Sequence, residues 1–197
     1  PWKEIEAQGY IAPAACFEVR VDLQDEERLD YAMSAQDDRY RIAATSPVKI
    51  KVMQDLLSRH VGEPTLIIGQ YLDQIYTVAA ALGVPFITGE TPVDERERLF
   101  QAFREGTEPT LVVSKVANFS IDLPEASVAI QISGSYGSRQ EEAQRLGRLL
   151  RPKADGRKAS FYTIIARDTV DQDFAQNRQR FLAEQGYSYE ILDAEQL

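Results

Sequence analysis

The chain has 197 residues, which suits one domain with a full core, or one domain with an arm. An apolar share of 44% and a charged share of 27% are those of an ordinary soluble globular protein. A formal net charge of −9 excludes a protein that coats nucleic acid by bulk charge, though not one with a local basic site. Cys16 is the only cysteine and His60 the only histidine, so an internal disulfide is excluded and a zinc site lacks its usual ligands.

The chain begins at Pro1 without an initiator methionine, which suits either processing or a fragment of a longer protein. No secretory pattern opens it, and no apolar run is long enough to span a bilayer. FEVRVDL (17–23) alternates like a strand, and RIAAT (41–45) predicts another. Between them, residues 22–38 hold seven carboxylates against Arg28 alone, which predicts a solvated acidic helix or loop. Ser46-Pro47 reads as a helix cap followed by the first helical residue, opening a helix over 47–60. His60 ends that helix, where a cation suits the dipole; a Ser-His-Asp device would have to rest on it.

From there, strand-length apolar runs alternate with helical patterns. The predicted strands are TLIIG (65–69), VPFIT (84–88), TLVVS (110–114), VAIQI (128–132) and FYTIIA (161–166). The helical patterns cover 71–82, 92–105 (opened by Thr91-Pro92), 138–151 and 168–185, and YSYEIL (187–192) predicts an edge strand. Strands apolar on both faces belong to a parallel sheet covered on both sides. The alternation predicts a doubly wound α/β fold with a mainly parallel sheet.

In such sheets ligands sit beyond the carboxyl ends of the strands. The loops GQYLDQ, GET, SKVANFSIDLPEA and SGSYGS follow the first four of these strands, and their hydroxyls and N–H groups suit phosphate. There is no GxxxxGK[ST], so the usual nucleotide cradle is absent from the chain, and GSYGS lacks the dinucleotide spacing. The stretch EEAQRLGRLLRPK (141–153) gathers four cations against two carboxylates. Arg145, Arg148 and Arg151 fan over roughly 120° of a helix surface. Two readings fit: a solvated amphipathic helix, with Glu141 paired to Arg145, or an arginine pair aimed at a triphosphate. Gly147, which costs about 1 kcal/mol relative to Ala inside a helix, favours the second by permitting close approach.

QRLGRLLR resembles motif VI of superfamily-two helicases, and SKVANFSIDLPEA resembles their motif V. The run from TLVVSKVANF to GRLLRPK is similar to the XPB family of ATP-dependent DNA translocases, and QRFLAEQGYSYEIL (179–192) to its closing helix and strand. GYIAPAACFEVRV (9–21) resembles the arm that joins the two motor domains of that family. The resemblance implies the second RecA-like domain of such an enzyme, a P-loop NTPase fold without its own P-loop. Residues 1–45 would be the interdomain arm with its acidic segment, and 46–197 the motor domain.

By the same resemblance, Arg148 and Arg151 reach the γ-phosphate of ATP held with Mg2+ mainly by a missing first domain, which also supplies the metal ligands. Gln144, Arg145 and Asp122 are implied at the nucleotide or the domain interface, and Ser114, Lys115, Gln70 and Tyr71 at the DNA backbone. Taken singly, Lys115 also fits a solvated lysine, Asp122 a turn cap, and Tyr71 a core-edge aromatic. The implied activity is a 3′-to-5′ DNA helicase of repair or transcription-linked opening, cytoplasmic or, in a eukaryote, nuclear. The isolated chain is expected to be inactive, with a nuclease or repair protein as a further partner. Residues 117–120 (Ala-Asn-Phe-Ser) and Gln140 depart from the glycine, acid and basic residues that relatives often carry there. Rival readings are a protein-docking module and a flavodoxin-like small-molecule binder.

Overall fold

A computed structural model describes residues 14–114, 125–134, 150–184 and 186–197. In chain order the described elements are β1 (Ala14–Val21), α1 (Asp25–Met33), α2 (Gln36–Ala44), α3 (Val48–Arg59), β2 (Thr65–Gly69) and α4 (Leu72–Leu82). Then come β3 (Phe86–Ile87), α5 (Val93–Glu105), β4 (Thr110–Ser114), β5 (Val128–Gln131), β6 (Ala159–Ala166), α6 (Val170–Glu184) and β7 (Ser188–Asp193), with a closing 3-10 turn. The seven strands form one sheet in the order β3-β4-β2-β5-β6-β1-β7, and every neighbouring pair is parallel.

Apolar runs in β2 and β4 have no solvent-facing side. Leu66 and Ile68 join Leu111, Val113, Phe100, Phe103 and Leu182 in the core between the sheet, α5 and α6. Ile67 and Val112 point the other way and pack with Val52, Met53, Leu56, Ile75 and Val78 of α3 and α4. Helices therefore cover both faces, as two-sided burial of the strands requires. The expected doubly wound, parallel α/β fold is what forms, and β7 is an edge strand, as is β3.

Several local expectations change. RIAAT is not a strand: Arg41–Ala44 complete α2, which buries Tyr40, Ala43 and Ala44 at helical spacing. The acidic stretch forms α1 and the start of α2, and α1 buries nothing. Pro47 has helical dihedrals (φ −60°, ψ −19°), so Ser46 stands where the cap was expected. Its hydroxyl accepts the Val48 N–H at 3.4 Å and also donates to Glu27 at 2.5 Å. Pro92 is extended (ψ 147°), so Thr91-Pro92 does not repeat the device of Ser46-Pro47. VPFIT shortens to Phe86–Ile87 because only these residues pair with β4.

The helix expected over 138–151 does not include its last two residues. Leu150 makes a parallel bridge to Ala126, and the Arg151 N–H donates to the Ala126 carbonyl at 2.8 Å. That bond takes the donor a helix would need, and Pro152 cannot continue one. Residues 138–149 lie outside the described residues.

Candidate nucleic-acid edge and arginine site

Because all strands are parallel, their carboxyl ends share one edge of the sheet. From β2 the chain crosses by α4 to the β3 side, whereas β5 lies on the opposite side of β2, next to β6. The crevice between β2 and β5 is thus a topological switch point, where open α/β sheets bind ligands. Gln70 and Tyr71 leave β2 at this crevice, and Ser114 ends β4 opposite Gly69. Ser114 is 2% exposed, so its hydroxyl faces the interior and not the solvent. Lys115 and Asp122 lie outside the described residues.

The Gln70 N–H donates to the Ser133 hydroxyl at 2.7 Å, bridging the switch point. Gln70 Oε1 is buried without a hydrogen-bond partner. Tyr71 caps α4 and is half-buried, with the Arg41 guanidinium 5.1 Å from its ring centre and the Tyr40 ring 6.3 Å away. Arg41 also pairs with Asp73 at 2.8 Å. Tyr71 therefore forms one wall of an aromatic and cationic cluster at the sheet edge.

Beneath it lies a polar group that the sequence reading missed. The Lys49 ammonium, fully buried, donates to the Ile132 carbonyl at 2.8 Å and to Asp171 Oδ2 at 2.9 Å. Asp171 Oδ2 also accepts the Ala166 N–H at 2.9 Å, so the carboxylate ties the end of β6 to α6. Burial lowers the proton affinity of Lys49, and the facing Asp171 opposes that loss. The Tyr40 hydroxyl accepts the Gly134 N–H at 2.9 Å and donates to the Gly134 carbonyl. Burial and the charge of Asp171 both push the Tyr40 phenol upward, so it stays protonated. A signal for these residues was present. Lys49 occupies the apolar stripe 49, 52, 53, 56 of α3, and Tyr40 the stripe 40, 43, 44 of α2.

The structure brings Gln70, Tyr71 and Ser114 to one edge and sets Arg151 at the other. Arg151 lies beside Ala126, upstream of β5, with its guanidinium 2.6 Å from Glu125. Its side chain is 43% exposed, and a guanidinium so displayed can present two parallel donors to phosphate oxygens. Gln144, Arg145 and Arg148 lie outside the described residues. The chain thus leaves β5 at the carboxyl edge and returns at the amino edge with Leu150 and Arg151. Among the described residues no cluster of three or more His, Cys, Asp or Glu side chains could hold a metal ion. No described helix is long and apolar enough to cross a membrane.

The family model described as ERCC3/RAD25/XPB C-terminal helicase matches residues 5–196. The chain belongs to the XPB C-terminal helicase family. Its XPB relatives include a DNA 3′-5′ helicase XPB of Kineococcus radiotolerans, 66% identical over the whole chain and 35% of that protein's length. The corresponding helicase of Mycobacterium tuberculosis is 61% identical over the whole chain and 36% of its length. In Saccharomyces cerevisiae, the general transcription and DNA repair factor IIH subunit XPB/SSL2 is 36% identical over 97% of this chain and 23% of that protein. The chain therefore spans about a third of the length of its bacterial XPB relatives. Among solved structures, the C-terminal domain of the DEAD-box protein Dbp5 superposes with a TM-score of 0.67 at 16% identity, covering 93% of this chain and 92% of that one. That likeness extends the RecA-like fold of helicase C-terminal domains to this XPB family member.

Proposed function

We propose that this chain is the second motor domain of an ATP-driven 3′-to-5′ DNA helicase or translocase acting in repair or transcription-linked duplex opening. The observation that carries the proposal is a pairing: a helicase family match through residues 5–196, in a chain with no phosphate-cradling lysine loop. Such a half needs a first RecA-like domain to hold ATP and Mg2+, which supply the phosphoryl group and its counter-charge. Arg148 and Arg151 present guanidiniums to the charge that develops on the γ-phosphate, while Gln144, Arg145 and Asp122 serve the facing interface. The ion pair of Arg151 with Glu125 is exposed on both sides, and such pairs contribute only about 0–1 kcal/mol, so phosphate can displace the carboxylate.

At the other edge, Gln70, Tyr71 and Lys115 contact the DNA backbone, and buried Ser114 delivers the chain into Lys115. Backbone-centred binding at a few loops tolerates a net charge of −9. Residues 1–45 are the link from the first domain, anchored where β1 inserts between β6 and β7. The enzyme works in the cytoplasm of a bacterium or the nucleus of a eukaryote. The 197-residue chain assayed alone with DNA is predicted to hydrolyse no ATP, whereas the enzyme with both halves does so in a DNA-stimulated manner. Strong DNA-stimulated hydrolysis by the chain alone contradicts the proposal.

A second reading, a docking face for a nuclease or repair protein, is favoured by α1. This acidic helix leaves Leu29 60% and Met33 79% exposed, one turn apart on the same side. Loss of partner capture on Leu29→Ser and Met33→Ser substitution supports it; unchanged capture removes α1 from consideration.

A further inference from the structure

Arg151 projects from a short stretch of chain whose hold on the domain is visible in the described residues. Leu150 bridges to Ala126, the Arg151 N–H donates to the Ala126 carbonyl, and Pro152 then leads into a tight turn. Within that turn the Lys153 N–H donates to the Arg157 carbonyl and the Gly156 N–H to the Lys153 carbonyl, each at 2.9 Å. Backbone bonds thus close the turn on itself, and a side chain from another element ties it to the domain. That side chain is Glu63, in the loop between α3 and β2. Its Oε1 lies 3.3 Å from the Arg157 guanidinium and its Oε2 3.4 Å from the Lys153 ammonium, while Oε2 also faces His60 Nδ1. The Arg157 contact is exposed and contributes little. The Lys153 side chain, by contrast, is 7% exposed, and Glu63 is the one counter-charge within reach of its ammonium among the described residues. Water screens such a pair far less than a surface one, so Lys153 carries the hold. Glu63 is itself anchored, because the neighbouring Pro64 carbonyl accepts the N–H groups of Ser127 and Val128 at 3.1 and 3.2 Å. The clamp and the arginine therefore share one footing, the entry of β5.

We propose that Glu63 is a positioning residue for Arg151, acting through Lys153: it fixes the turn over 153–157 and with it the point from which the Arg151 guanidinium projects. The inference rests on the proposed role of Arg151 at the γ-phosphate and adds to it what holds that side chain in place. Glu63 stays off the nucleotide, its oxygens being taken by His60, Lys153 and Arg157 of its own domain. Replacing Glu63 by glutamine removes the charge that holds Lys153, and replacing Lys153 by methionine removes the group held. Either change leaves Arg151 in the chain and frees the turn that supports it.

The test uses the full-length enzyme with Glu63→Gln and Lys153→Met, each in the parent and in the Arg151→Ala background. DNA-stimulated turnover and KM for ATP are measured. Affinity for ADP is measured with and without aluminium fluoride, which mimics the transferring phosphoryl group. In the parent background each substitution is expected to lower kcat by about 10- to 100-fold, the scale that a misplacement of about 1 Å can cost. KM for ATP and affinity for DNA stay as in the parent, as for a contact made only in the transition state. Affinity for ADP with fluoride falls by a similar factor, while affinity for ADP alone is kept. In the Arg151→Ala background neither substitution lowers turnover or the fluoride-dependent affinity further, because the residue they act through is gone. Parent-like kcat in either Glu63→Gln or Lys153→Met overturns the inference. So does a further loss on top of Arg151→Ala, or an equal weakening of ADP with and without fluoride, since both mark a general structural role. Normal turnover in Arg151→Ala alone overturns the arginine assignment itself, and this inference with it.

Discussion

His60 ends α3 with both ring nitrogens engaged, Nδ1 by Glu63 and Nε2 by the Tyr162 hydroxyl at 2.7 Å. Burial lowers its proton affinity below the ordinary value of 6.5, and Lys153 and Arg157 nearby act in the same direction, outweighing Glu63. As pH falls through 6.5 the unfolded chain therefore takes up the proton before the folded one. The stability His60 contributes is complete above 6.5 and is lost as pH drops towards the lower folded value. Denaturant midpoints measured from about pH 7.5 to about pH 5, across the usual histidine range, are expected to fall more steeply for the parent chain than for His60→Gln; equal slopes refute this. The residue is a satisfied helix end packed on Tyr162, so no nucleophilic device rests on it. Cys16 is equally inert, with burial pushing its thiol up to about 12. In the proposed function the chemistry lies with the arginines. Arg148 and Arg151 were legible as a recurring pattern with Gly147, but the local partner of Arg151 was not. Glu125 is distant in sequence and meets it only because Leu150 bridges to Ala126.

Elements were legible where burial is two-sided and local. TLIIG and TLVVS became β2 and β4 at their expected bounds because their apolar, β-branched content suits nothing but a covered strand. Ile67, fully buried between β4 and β5, is predicted to cost about 2–5 kcal/mol when changed to Ala, read as a shift in denaturant midpoint at unchanged slope. RIAAT failed because five residues fit a strand and the last turn of a helix equally, and only contact of Tyr40 with Gly134 decides between them. Lys49 was hidden for a related reason. Its partner Asp171 is brought to it by the packing of α3 and α6 around β5 and β6, which no local pattern encodes. Lys49→Met leaves Asp171 charged and unpaired in the interior, with an expected loss of about 3–5 kcal/mol in unfolding free energy. Lys49→Met combined with Asp171→Leu should recover much of that loss; no recovery would show that the pair is not the source of the cost.

The whole molecule is an acidic parallel sheet with Gln70, Tyr71 and Ser114 at its carboxyl edge and Arg151 at its amino edge. With a net charge of −9, the proposed affinity for DNA rests on single loop contacts. In the full-length enzyme, Lys115→Ala should lower the slope of log affinity against log salt by about 1, whereas uncharged Gln70→Ala should leave the slope unchanged. Equal slopes for the Lys115 variant and its parent would remove that lysine from the backbone contacts. The fold class was readable from the alternation of strands and helices. The separation of Arg151 from Gln70 and Tyr71 was not, because it depends on Arg151 returning to the amino edge of β5. The most direct measurement of the central claim is DNA-stimulated ATP turnover in full-length enzyme carrying Arg148→Ala or Arg151→Ala, with DNA affinity measured in parallel. Each substitution is predicted to reduce turnover by about 10³-fold or more with DNA affinity nearly unchanged; turnover at the parent rate in either variant would contradict the assignment.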